Sequence, residues 1–137
     1  MSPIEIKQGD VFYGPNRQLT SPLPHYLIVL NRSPNDDECV VLEVITSQVE
    51  KVRKRVRLQG HPASTIVYIQ PSEYPPLTKP SVVNCNDVLH KVSLELFLED
   101  IKGCSRKPGL PQELFDRIIA GILESPAVSD EVKSMLK

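Results

Sequence analysis

The stretch KVRKRVRL, residues 51 to 58, carries cations at alternate positions: Lys51, Arg53, Arg55 and Arg57. At the period of a strand these share one face, while Val52, Lys54, Val56 and Leu58 share the other. Like charges on one face repel, so the stripe suits an anionic partner, and phosphate backbones are bound in this way through counterion release. A solvated edge strand is the alternative, because basic edges also discourage sheet-to-sheet pairing. Thr46 and Ser47 end the run VITSQ with adjacent hydroxyls, which can hold a phosphate oxygen or a base edge, or cap a turn. In SVVNCNDVLH, Asn84 and Asn86 interrupt an apolar run; alternation puts Val83 and Cys85 on one face and the asparagines on the other. Cys85 then reads as a small buried hydrophobe, with no base beside it in sequence to activate it.

His25 stands at the head of HYLIVLNR, where the chain enters an apolar run. Histidine is the residue type whose unperturbed pKa suits proton transfer at physiological pH; the other reading is a ring packed at a strand end with one nitrogen wetted. His61, before a proline in QGHPAS, reads as a loop residue, and His90 has no evident partner. Glycine-rich phosphate loops, HExxH, paired-carboxylate signatures and CxxC are absent, which removes most common enzyme classes.

These residues need a scaffold. The 137 residues amount to one domain's length, and a net charge of −1 implies no partner by itself. No apolar run approaches a membrane span, and MSPIEIKQGD does not read as a signal peptide. Three widely spaced cysteines, Cys39, Cys85 and Cys104, fit a reducing compartment better than a disulfide framework or a zinc site. Strands are expected over 11–13, 26–31, 40–45, 66–70 and 81–88, with SPNDDE as a hairpin tip and PSEYPPLTKP as a rigid loop. Short strands without intervening helices favour a mainly β fold, a small antiparallel barrel or sandwich. Leu114, Ile118 and Ile122 then recur at helical spacing, so a main helix is expected near 111–124, ahead of a short tail over 125–137. Ser129 is a capping candidate for a last short helix.

The ordered series KQGDVFYG, HYLIVLNR, VLEVITSQ, TIVYIQPSEY, SVVNCNDV and closing helix resembles the MazF/PemK/Kid toxins of bacterial toxin–antitoxin modules, over roughly residues 7 to 124. The resemblance implies an SH3-like antiparallel β-barrel with a C-terminal α-helix, a homodimer, and a cytoplasmic endoribonuclease that cuts single-stranded mRNA. It implies attack by the ribose 2′-hydroxyl on the adjacent phosphate, with no metal or cofactor, and a cognate antitoxin protein as partner. Thr46 and Ser47 stand where the family's strand ends in a threonine at the scissile phosphate, and Asn86 where an aspartate is frequent. His25-Tyr26 replaces the family's Arg-Pro, whose arginine is central to catalysis. His25 can take over proton transfer, with Arg17 of GPNRQLTSPLP supplying the permanent charge and that loop acting as a substrate clamp. His25, Thr46 and Arg17 are therefore the candidate catalytic residues. Ser47, Lys51, Arg53, Arg55, Arg57, Asn84 and Asn86 are the candidate RNA contacts. Two other readings remain open: a catalytically inactive RNA- or protein-binding module, and a toxin like the gyrase inhibitors that share this barrel.

Overall fold

The computed structural model describes residues 5–19 and 23–137. Strands β1 (Val11–Gly14) and β2 (His25–Val29) lead through a one-turn helix α1 (Pro34–Asp37) to the long strand β3 (Cys39–Thr46). Helix α2 (Val49–Leu58) and strands β4 (Ile66–Ile69), β5 (Ser81–Asn84) and β6 (Leu89–Ser93) follow. Helix α3 (Leu94–Asp100), strand β7 (Ser105–Lys107) and helices α4 (Gln112–Leu123) and α5 (Asp130–Met135) complete the chain.

All pairings are antiparallel, and the sheet runs in the order β4-β5-β3-β2-β1-β7. Alternation sends Val11, Ile28, Val41 and Ile45 to one face, under α4 and α5. It sends Phe12, Leu27, Val29 and Leu42 to the other, under α3, where the Phe12 and Phe97 rings meet edge to face at 5.7 Å. Both faces are covered, which is why β2 reads as an unbroken apolar run. No helix among the described residues is long and apolar enough to cross a membrane.

The sheet is not the closed barrel expected from the short strands and the family resemblance. Strand β3 pairs along one edge with β5 near its end (Ile45↔Val83, Thr46↔Val82) and with β6 near its start (Cys39↔Ser93, Val40↔Val92, Leu42↔Leu89). Two strands thus occupy one lateral position, and no ladder joins β4 to β7 among the described residues. The shared edge leaves Glu43 and Val44 between the two ladders.

Three local expectations are also corrected. KVRKRVRL is helical, not a strand: Val49, Val52 and Val56 recur at i, i+3 and i+7, lysine and arginine are good helix formers, and Val56 is buried. Leu58, expected on one strand face with Val52, Lys54 and Val56, is 73% exposed at the end of the helix. The helix stops in a Schellman motif, with His61 N–H donating to Val56 O and Gly60 N–H to Arg57 O at φ +74° for Gly60. SPNDDE holds the single turn α1, closed by Glu38 in the left-handed region at φ 56°. The strand expected over 81–88 ends at Asn84, because the Asn84 side-chain carbonyl accepts from Asn86 N–H and turns the chain.

Helix α4 runs close to its expected span, burying Leu114, Ile118 and Ile122. It lies so tightly on the sheet that a Cβ at Gly121 would come within 2.7 Å of Cys85 Sγ. Ser129 caps α5 by accepting from Val132 N–H. Thr20 to Pro22 of the expected substrate-clamp loop lie outside the described residues, as do residues 1–4.

Candidate functional site

The break in the β3 edge opens a cleft of about 690 Å³. Its floor is Glu43 and Val44, and Thr46 marks the end where β3 passes into α2. One wall is α2, through Lys51, Val52 and Arg55; another is the turn from β5 into β6, through Asp87, Val88 and His90. Val128 and Val132, from the segment entering α5 and from α5 itself, line the remaining side.

The helical state of α2 redistributes its charge. At about 100° per residue, Lys51 and Arg55 fall one turn apart on the cleft face, while Arg53 and Arg57 turn away. The expected stripe is therefore two pairs on different faces. Arg53 bonds Glu50 at 3.1 Å on the outer side, and Arg55 reaches Asp87 at 3.4 Å with both side chains more than half exposed. Lys51 is exposed and makes no ion pair among the described residues. Ser47 is exposed and does not line the cleft.

Asn84 and Asn86 are buried, and their polar groups are largely engaged with the protein itself. Asn86 Nδ2 donates to Thr65 Oγ1 at 2.8 Å and to Asn84 Oδ1 at 3.0 Å, and Asn86 Oδ1 accepts from Ser125 Oγ. Lys133 Nζ donates to Ser125 O at 2.8 Å. This network fastens the α5 wall to the end of β5, so the asparagines shape the cleft more than they face a ligand. Cys85, buried beside them, has its thiol pushed far up by burial, as suits a packing residue.

Glu43 is the group that sequence reasoning missed. It is 1% exposed, and burial raises its carboxyl well above the usual value, with a smaller upward push from Asp87. Oε2 accepts from Val44 N–H at 3.3 Å, a bond that works in the opposite direction, and Oε1 has no partner among the described residues. A carboxyl this buried without a cation beside it is held neutral. The signal was present in VVLEVIT, where Glu43 shares parity with the core residues Val41 and Ile45.

His25 and Thr46 stand on neighbouring strands. Tyr26 pairs with Ile45, so the next step of that register sets His25 beside Thr46, both on the face of Leu27 and Leu42. His25 is half-buried, does not line the cleft, and its buried Nε2 has no hydrogen-bond partner among the described residues. Arg17 is not gathered with them. Its Nε donates to both Asp100 oxygens, at 2.8 and 3.1 Å, and its Nη2 lies 2.6 Å from Oδ1. That hydrogen bonding and the Asp100 charge raise the already high pKa of the guanidinium. Among the described residues, no cluster of three or more His, Cys, Asp or Glu side chains is arranged to hold a metal ion.

No protein-family model matches the chain, and no curated protein matches it.

Proposed function

We propose that the chain is a diverged toxin of the MazF/PemK type, an endoribonuclease that binds single-stranded RNA across the cleft and cuts it without a metal. The observation that carries this reading is the cleft itself: Lys51 and Arg55 on one helix face, Thr46 at its end, and His25 one strand away. The two cations neutralise phosphates, and the Thr46 hydroxyl donates to a phosphate oxygen. His25, beside Thr46 on the neighbouring strand, accepts the 2′-hydroxyl proton as the O2′–P bond forms. The P–O5′ bond breaks, and the departing 5′ oxygen takes a proton from water. The products are a 2′,3′-cyclic phosphate and a 5′-hydroxyl. Because Arg17 is engaged by Asp100, charge stabilisation falls to Lys51 and Arg55.

The remaining parts of the proposal follow the ordered segments of the sequence. The antiparallel sheet is an opened variant of the SH3-like barrel. Two chains form a homodimer that continues the groove, as twofold symmetry allows. An acidic, disordered segment of a cytoplasmic antitoxin competes with RNA for the basic face. One observation favours a non-cleaving RNA-binding module instead: the only described arginine between β1 and β2 is tied to Asp100. A gyrase-inhibitor-like effector at the C-terminus fits less well, because Val128, Val132 and Leu136 fold back into the core.

Incubation of mixed-sequence single-stranded RNA with the chain, followed by end-group analysis, tests the reading. Cyclic-phosphate ends are expected from wild type, and His25→Ala is expected to lower the rate by at least about 100-fold with its melt preserved. RNA bound tightly but never cut would leave the binding module as the function.

A further inference from the structure

Glu43 is a poor choice for stability. An unpartnered carboxyl oxygen in the core is costly, and an aliphatic side chain in the same place would avoid that cost. The carboxyl also has a definite polarity. Oε2 accepts the Val44 N–H, which leaves the proton to Oε1, the oxygen with no partner. The cleft floor therefore presents an O–H donor with nothing to donate to. Around it aliphatic side chains of Val44, Val52, Val88, Leu89, Val128 and Val132 share the lining with the polar Gln48, Asn84, Asn86, Asp87 and His90. The cations Lys51 and Arg55 stand on the α2 wall of the same cleft. The buried asparagines of the lining are taken up by one another, Thr65 and Ser125, so Glu43 Oε1 is the deep polar atom left without a described partner. With aliphatic surface beside it and cations on one wall, the cleft matches a nucleotide, which has flat ring faces, a hydrogen-bonding edge and a charged phosphate.

We propose that the deep end of the cleft is a nucleobase subsite, in which Glu43 Oε1–H donates to a ring nitrogen or carbonyl oxygen of one base while Lys51 and Arg55 hold the adjoining phosphates. The proposal rests on the reading of the cleft as an RNA site and adds the residue that gives it sequence preference. A base that offers a donor at that edge meets another donor and is rejected, because two buried groups are then left unpaired. The Asn84–Asn86–Ser125 network is what keeps the subsite rigid, since it fixes the wall opposite α2.

The test is to select random single-stranded RNA on the full-length wild type, Glu43→Gln and Glu43→Met, sequence the bound pools, and melt each protein. Wild type is expected to prefer, at one position, bases whose bound edge offers an acceptor, such as uracil O4 or guanine O6, over cytosine and adenine, which offer an amino donor there. Glu43→Gln retains that preference, because its amide N–H takes the place of Oε1–H while its carbonyl takes the Val44 bond. Glu43→Met relaxes the preference at that position by about tenfold, while affinity for the pool as a whole stays within about threefold. A folded Glu43→Met protein with an unchanged preference overturns the subsite, as does a uniform loss across all sequences or a wild type with no base preference. Wild type that binds no RNA overturns the underlying RNA reading as well. A measurement on wild type needs no folded variant: the ¹³C carboxyl resonance of Glu43 should move on saturation with the preferred RNA, and a resonance that stays still rejects the contact.

Discussion

Asp100 grips Arg17 through three contacts of 2.6 to 3.1 Å, whereas Arg55 meets Asp87 through a single contact of 3.4 Å. The two guanidiniums lie at different corners of one sheet. Arg17 joins the β1–β2 loop to the end of α3, and Asp100 there is 11% exposed, so the charge of that corner is consumed within the fold. Arg55 and Lys51 project from a helix whose apolar side is already anchored by Val56, and their heads remain open to the cleft. A cation is functional when its partner is absent or weak, and position in the chain does not decide that. The cleft has a second mark of this kind in Glu43, a buried group left unsatisfied; next to Arg17, Asn16 Nδ2 is also buried without a described partner, so it is the ion pair that separates the two corners.

The sharpest test of this contrast separates the two faces of α2. Replacing Lys51 and Arg55 together by glutamine should weaken single-stranded RNA binding at least about tenfold and make the salt dependence shallower by about 1.4 in log–log slope. Replacing Arg53 and Arg57 together, which removes the same formal charge, should change affinity by less than about threefold. Competition titrations at several salt concentrations read both quantities. Equal losses from the two pairs would mean that RNA responds to net charge and that the cleft face has no special standing.

The sequence was legible where period and burial agreed. Strands β1 to β3 and helix α4 follow directly from apolar runs and from the spacing of Leu114, Ile118 and Ile122. It misled in α2, because alternating cations imitate a strand while the weaker Val49, Val52 and Val56 pattern carries the helix. A pattern of charged residues reports solvent and partners, whereas the apolar residues report the fold. For the site, Thr46, Lys51 and Arg55 were readable by type, and Glu43 was readable by parity within VVLEVIT. What could not be read was the shared edge of β3. That gap arises from β5 and β6 meeting one strand end to end, a long-range arrangement with no local signature. Asn84 and Asn86 were found as polar interruptions, but whether they face a ligand or each other depends on Thr65 and Ser125, far away in sequence.

Glu43 supplies the next test, on stability. Its folded-state pKa lies well above the ordinary 4.5 because burial disfavours the charged form. Below that ordinary value the carboxyl is protonated in both folded and unfolded chains, so it imposes no ionisation cost. As pH rises above 4.5 the unfolded chain releases the proton while the folded chain keeps it, and stability falls until the folded pKa is passed. The slope within that window approaches about 1.4 kcal/mol per pH unit for one group. Glu43→Gln should therefore melt above wild type at neutral pH, with the difference shrinking as pH falls toward 4.5. A difference that stays constant with pH would show that Glu43 is ionised when folded, and the neutral donor would be lost with it.

The smallest expected effect is at Arg17. Half of its side chain is exposed, so the pair with Asp100 is largely screened and its removal should lower the melting temperature only slightly. Arg17→Ala is expected to leave RNA affinity and any cleavage rate within about twofold, since no described contact brings the guanidinium to the cleft. Asp100→Asn should reproduce the small loss in the melt, and the double variant should add little, as for two residues sharing one interaction. A rate that falls tenfold or more in a folded Arg17→Ala protein would reverse the contrast between the two corners. It would mean that the Asp100 pairing opens when RNA binds and that Arg17 swings to the phosphate, which Asp100→Asn would then accelerate by releasing the arginine in advance. The two variants thus move in the same direction if the pair is structural and in opposite directions if it is a latch.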